Sequence, residues 1–272
     1  MSVANLVIYG KYNDFDGQSL NLDRIRDGGT PTVATEGSPS ISDGGHLGTG
    51  ALVLVSNFML GQRARLDYSG VDIVDSVDGE GCIEFFVAPA NSGTPNFGQY
   101  FVGIGNDGNE DNLACIRHAT NGDLIAELFD DDGGLLASAS ANFDPAAGTY
   151  YHLCMSWSGS VLRLFIDGML QVESNYVDDR SSDIDLLRLG AAVQDSTDAF
   201  PEFTLDELRI YDSVRRTANF TPPTEELNAD VWAPLLRSEV KDKRLPILLE
   251  TWVIKTKDEK GAEPGRIRFR RY

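Results

Sequence analysis

Cysteine is scarce in this chain, lysine is nearly missing from its larger part, and long apolar runs do not occur. Cys82, Cys115 and Cys154 are an odd number for a disulfide framework. Each sits inside an apolar run, which predicts buried free thiols. No stretch reaches the roughly 18 apolar residues a membrane-spanning helix needs. His46, His118 and His152 are the only histidines, too few and too scattered for a zinc site. The opening residues, MSVANLVIYGKYND, hold neither a basic segment nor a long apolar one, so no secretory signal is expected. No serine stands in a G-x-S-x-G elbow, which leaves that hydrolase chemistry without its nucleophile.

Charge is present but segregated. The 272 residues carry a net -19, with 23 Lys/Arg against 42 Asp/Glu. Residues 228–272 hold 11 of the basic and 7 of the acidic groups, a net of +4, which leaves -23 on residues 1–227. Lys11 is the only lysine in that acidic part. Such a body repels phosphate, so neither nucleic acid nor an anionic membrane is an expected partner. The chain therefore divides into an acidic domain over 1–227 and a basic, apolar arm over 228–272. Segments such as VWAPLL, LPILLETWVIKTK and GRIRFRRY would be costly to expose, so the arm is expected to pack on a partner or back on the sandwich, the partner being favoured, with Trp232, Trp252, Arg266, Arg268, Phe269, Arg270 and Arg271 as the anchoring residues.

The clearest local pattern lies at residues 149–171, TYYHLCMSWSGSVLRLFIDGMLQ. Leu153, Met155 and Trp157 alternate with His152, Cys154 and Ser156, the period of a strand with one buried face. Ser158-Gly159-Ser160 breaks the run, Gly159 being expected to supply a positive φ, and Asp167-Gly168 is a type I′ turn signal. Further strands are predicted at 5–12, 51–55, 64–68, 81–88, 99–104, 113–117, 124–129, 186–189 and 203–211, with 27–50 as a long surface loop. About a dozen short strands with turn residues every 8–12 positions predict an all-β chain folded as a two-sheet antiparallel sandwich.

Few patterns carry chemistry. Gly103, Gly105 and Gly108 match G-x-G-x-x-G, but a strand rather than a helix follows, so the match is a hairpin loop. A retaining glycosidase needs two carboxyl groups on one face. Asp206 and Glu207 are adjacent and so expected on opposite faces, while Glu84 stands alone in its strand. His152 and Cys154 share a face as any strand neighbours do. Asp107, Asn109 and Asp111 have the D-x-N-x-D spacing that offers hard oxygen ligands to calcium, although Asn112 and His118 occupy positions an EF-hand gives to Gly and Glu. Asp130-Asp131-Asp132 is a second acidic loop. Tyr100, Tyr176 and Phe97 are aromatic groups available to stack on a sugar.

Several of these segments together resemble the laminin-G-like, concanavalin-A-like jelly-roll domains. Residues 43–54 (DGGHLGTGALVL) look like that family's glycine-rich entry strand, 150–168 like its central hairpin and 205–211 (LDELRIY) like its closing strand. Tyr150 stands where the family usually has tryptophan. The resemblance covers roughly residues 3–227. It implies a jelly-roll sandwich and binding of carbohydrate or protein, and it adds Asp206 to the calcium candidates. Such domains recur in bacteriophage virion proteins, and 220–227 (FTPPTEEL) look like the junction that follows the domain there. The expected function is a non-enzymatic adhesion, decoration, fibre or tail component of a virion, a homo-oligomer assembled in a host cytoplasm, with other virion proteins as partners of its arm and a host-surface glycan as a further partner. The alternatives are a free lectin-like module, with or without calcium, and a polysaccharide hydrolase acting through Glu84 or Glu207.

Overall fold

The computed structural model describes residues 6–10, 12, 22, 24–25, 31–48, 50–56, 63–70, 79–106, 111–130, 132–177, 184–193 and 201–226. The chain divides into two units, Met1–Val231 and Trp232–Tyr272. The second unit, with every proposed anchoring residue, lies outside the described residues.

The described part is entirely β, in two antiparallel sheets. The first sheet runs, edge to edge, through β14 (Met169–Asn175), β13 (Val161–Ile166), β12 (Tyr151–Ser158), β7 (Gly81–Pro89), β16 (Glu202–Tyr211), β1 (Leu6–Gly10) and β2 (Arg24–Ile25). β16 also takes β5 (Ala51–Val55), which carries β4 (Ser40–Ser42) on its far side. The second sheet runs β11 (Leu135–Asn142), β10 (Asp123–Phe129), β9 (Asp111–His118), β8 (Gln99–Asn106), β15 (Leu186–Leu189), β6 (Arg65–Ser69) and β3 (Thr32–Glu36).

Alternation along each strand builds the core between the sheets. Ile83, Phe85 and Val87 of β7, and Leu153, Met155 and Trp157 of β12, enter one apolar cluster. It meets Phe101, Ile104, Ala114, Ile116, Leu124 and Leu187 from the opposite sheet. Burial of this kind contributes about 25 cal/mol per Å² of apolar surface. The sandwich predicted from the strand pattern is thus the fold observed.

The central hairpin forms where its pattern placed it. Cys154 pairs with Phe165 and Trp157 with Leu162. Asp167 (φ 49°) and Gly168 (φ 75°) both adopt the left-handed conformation that a type I′ turn requires. Gly159 does not supply the expected positive φ. The turn there closes without it, as turns with two negative central φ values do.

Three strands of three residues or more run through stretches not predicted as strand, as does the two-residue β2. β3 and β4 fall inside the expected 27–50 loop, and β11 (LLASASAN) had no counterpart among the predicted strands. β3 and β11 are edge strands with mostly exposed side chains, and β11 alternates only Ala with Ser, so hydrophobic contrast is faint. Gly103 and Gly105 lie inside β8, which pairs antiparallel with β9, so the glycine motif belongs to a hairpin.

Candidate functional site

The loop between β7 and β8 walls a cleft of about 550 Å³. Residues 90–93, the start of that loop, are pinned by hydrogen bonds. Ala90 N–H donates to Glu202 O (2.8 Å), Gly93 N–H to Pro145 O (2.8 Å), and Gly148 N–H to Pro89 O (2.8 Å). Gly93 takes φ +72°, a conformation a side chain would strain. Ser92 Oγ accepts from Ala147 N–H (2.9 Å), tying the loop to the segment before β12. A loop fixed this way costs little further ordering on binding. Into the cleft face Asn91, Asn96, Phe97, Gln99 and Glu202. Asn91 Nδ2 donates to Glu202 Oε2. Gln99 is 5 % exposed, and its Oε1 has no hydrogen-bond partner. The arrangement combines one half-buried aromatic ring with amide and carboxylate groups, a lining suited to a polar, hydroxyl-rich ligand.

The outer face of the β7–β12–β16 layer carries a second polar assembly, and it is closed. Glu84 is fully buried and binds Arg216 (3.1 Å), Tyr211 Oη (3.2 Å) and, more loosely, Arg209 (3.8 Å). Arg209 donates to Glu207 Oε2 (2.6 Å), whose other oxygen accepts from Tyr9 Oη (2.7 Å). His152 Nε2 stands 4.0 Å from Glu84. Burial holds the imidazole neutral, its pKa pushed down to about 4 against the pull of Glu84. Cys82 and Cys154 are buried free thiols with their sulfurs 3.6 Å apart. Burial raises the Cys154 thiol well above its usual range, the reverse of what a nucleophile needs.

Residues 212–226 lie across this face as a strap. Arg216 N–H reaches Ser156 Oγ (3.4 Å), Phe220 N–H bonds Gly168 O (2.8 Å) and Asn219 Oδ1 accepts from Leu170 N–H (2.8 Å). The Phe220 ring sits 5.4 Å from Phe165 and 5.6 Å from His152, under the Arg216 guanidinium at 4.1 Å. Glu84 and Glu207, the carboxylates a hydrolase would have used, are therefore covered and held by arginines.

Asp206 and Glu207 do not point to opposite faces. Between Asp206, opposite Phe86, and Arg209, opposite Glu84, β16 spends one residue more than β7. Glu207 absorbs the extra length at φ 55°, a β-bulge that turns both carboxyls outward. The bulge falls where β16 exchanges β5 for β1 as its second neighbour. The loop before β5 fills that gap. Leu47 N–H donates to Asp206 Oδ2 (2.9 Å), and His46 stacks 4.2 Å from Phe86 and 5.1 Å from Tyr150. Tyr150, in the place of the expected tryptophan, bonds Gly44 O (2.9 Å). Burial lifts Asp206 to about 7 and Tyr150 to about 12.

These neighbours do not suit calcium at Asp206. A hard cation requires converging oxygens, whereas backbone N–H groups converge here and the adjacent Glu207 is taken by Arg209 and Tyr9. Asp111 begins β9 in the other sheet, and Asp107 and Asn109 lie outside the described residues. In the second acidic loop Asp130 Oδ1 closes its own turn, accepting from Asp132 and Gly134 N–H (3.0 and 2.6 Å). Of the three candidate aromatics, Tyr176 is buried and Tyr100 lies half-buried beneath Arg117 (5.8 Å). Phe97 alone of the three lines the cleft. Sequence reasoning named Phe97 but not Asn91, Asn96, Gln99 or Glu202. The NSGTPNFG run after β7 was the available signal, a polar loop long enough to build a wall.

Three comparisons bear on this architecture. No curated protein matches the sequence. Among solved structures, the receptor-binding domain of the botulinum neurotoxin C/D mosaic serotype superposes with a TM-score of 0.54 at 11% identity, over 87% of this chain and 52% of that one. The binding domain of Paraclostridial Mosquitocidal Protein 1 gives 0.54 at 13% identity, over 87% and 53%. A botulinum neurotoxin type C structure, whose cell entry is described as dependent on two ganglioside molecules, gives 0.55 at 12% identity, over 86% and 51%. The chain thus spans about half the length of the structures it matches, and the likeness is one of fold. The family described as the concanavalin A-like lectin/glucanases superfamily matches residues 67–219, a span that runs from β6 through the central hairpin and β16 into the strap. With that match over more than half its length, the chain belongs to the concanavalin A-like lectin/glucanase superfamily.

Proposed function

We propose that this protein is a non-enzymatic, lectin-like adhesion module that binds a glycan in the cleft beside Phe97. The observation carrying this reading is one cleft of about 550 Å³ where the 90–98 loop, pinned at its start, brings an aromatic ring and two asparagines beside Gln99 of β8 and Glu202 of β16. The carboxylates on the outer face of the β7–β12–β16 layer support the non-enzymatic part, because Glu84 and Glu207 are held in ion pairs under the strap. The receptor-binding role named for the toxin domains agrees with an adhesive use of this fold. The full chain is to be placed on a glycan array with and without chelator. Binding unaffected by chelator, and weakened about tenfold or more by Phe97→Ala with unchanged melting temperature, is the expected result. A blank array in both conditions sinks the reading.

The same module is proposed to act within a phage particle, docked by its arm. What favours this is the arm's net +4, against -23 on the rest of the chain, together with its aromatic and arginine residues. Replacing Arg266, Arg268, Arg270 and Arg271 by Glu in the full chain is expected to abolish incorporation into particles. Normal incorporation would show that the arm does not anchor.

A further inference from the structure

The charge and hydrogen-bonding state of the cleft point to the kind of glycan it accepts. Its charged group among the described residues is Glu202, and no Lys, Arg or His lines it. At the cleft wall the Gln99 carbonyl oxygen is buried without a donor. An acceptor this closed pairs with a ligand O–H or N–H only once the Gln99 amide turns toward the cleft, and an anionic ligand group offers it no donor. A carboxylate or sulfate would instead stand beside Glu202 with no cation to offset it, in a body of net charge -23 over residues 1–227.

We propose that the cleft selects uncharged glycans and rejects sialylated, uronate-containing and sulfated ones, an inference that rests on the glycan-binding reading above. Gln99 Oε1 accepts a sugar hydroxyl or an acetamido N–H. Phe97 receives the apolar carbon face of the ring. Glu202, oriented by Asn91, accepts from further hydroxyls and acts as the electrostatic filter. Selectivity then comes from a repulsive element as well as an attractive one.

The test uses the full chain against galactose-, mannose- and N-acetylglucosamine-terminated oligosaccharides, alongside sialylated and sulfated counterparts of the same cores. At least one neutral core is expected to bind about tenfold or more tightly than its anionic counterparts. Glu202→Gln should narrow that gap several-fold, which a merely structural Glu202 would not do. Gln99→Leu should weaken the neutral core about tenfold without lowering the melting temperature. Anionic glycans binding as well as or better than neutral ones would overturn the inference and leave the glycan reading standing. Binding of no glycan at all would overturn both.

Discussion

Asp206 shows how much a single backbone angle decides. With Glu207 in an extended conformation the two carboxyls would part to opposite faces. At φ 55° they share one, and Asp206 is sealed beneath the His46–Leu47 loop with its pKa lifted to about 7 by burial. The fold therefore binds a proton that the unfolded chain, at 3.8, has released, and the stability this gives is lost as pH rises from about 4 to about 7. His152 works in the other direction. Burial holds it at about 4 against 6.5 in the unfolded chain, so its contribution is lost as pH falls from 6.5 to about 4. The opposing slopes cancel over most of their shared window. Asp206→Asn removes one of them. Urea midpoints of the variant should rise up to about pH 6.5 and then stay level, whereas the parent's should decline towards pH 7, each slope being about 1 kcal/mol per pH unit. Parallel curves for the two proteins would show that Asp206 is not the group responsible. None of this was legible from the residues, because Asp-Glu in a strand signals alternation and nothing local marks a bulge.

The strap is an element without secondary structure, which is why the sequence pattern passed over it. Residues 212–226 show no apolar periodicity, and their partners come from β7, β12 and the Asp167-Gly168 turn. The strap depends on that turn having no side chain at Gly168, where a Cβ would press on the Phe220 carbonyl. Gly168→Ala should loosen it and cost about 1–3 kcal/mol. The informative measurement is thiol labelling resolved by cysteine. Cys82 and Cys154 lie under the strap, while Cys115 stands in β9 of the other sheet, 3.6 Å from Glu127. Labelling of the first two should accelerate in the variant and that of Cys115 should not. Equal acceleration at all three would indicate global unfolding and refute a separately opening strap. The strands themselves were legible in proportion to their burial. β7, β12 and β16 were placed within a residue or two, because alternation is sharp where one face enters the core. β3 and β11, edge strands with little to bury, were not.

At the scale of the molecule, the sandwich was legible from strand count, turn spacing and the hairpin, since these are properties of neighbouring residues. The cleft was not, because Asn91 and Glu202 meet across 111 positions of sequence and their meeting is a product of the completed fold. Charge occupies an intermediate place. The sequence alone shows the acidic body, but only the fold shows that Glu202 reaches the cleft without a basic neighbour among the described residues. Topology has a further consequence, in the order of events during synthesis. β16 is bracketed by β7 on one side and by β5 and β1 on the other, and among the described residues it is the last strand of its sheet to leave the ribosome. Until residues 202–211 emerge, β1 and β5 have no bridge to β7. The nascent chain must wait with open strand edges, and closure is a late, long-range and correspondingly slow step.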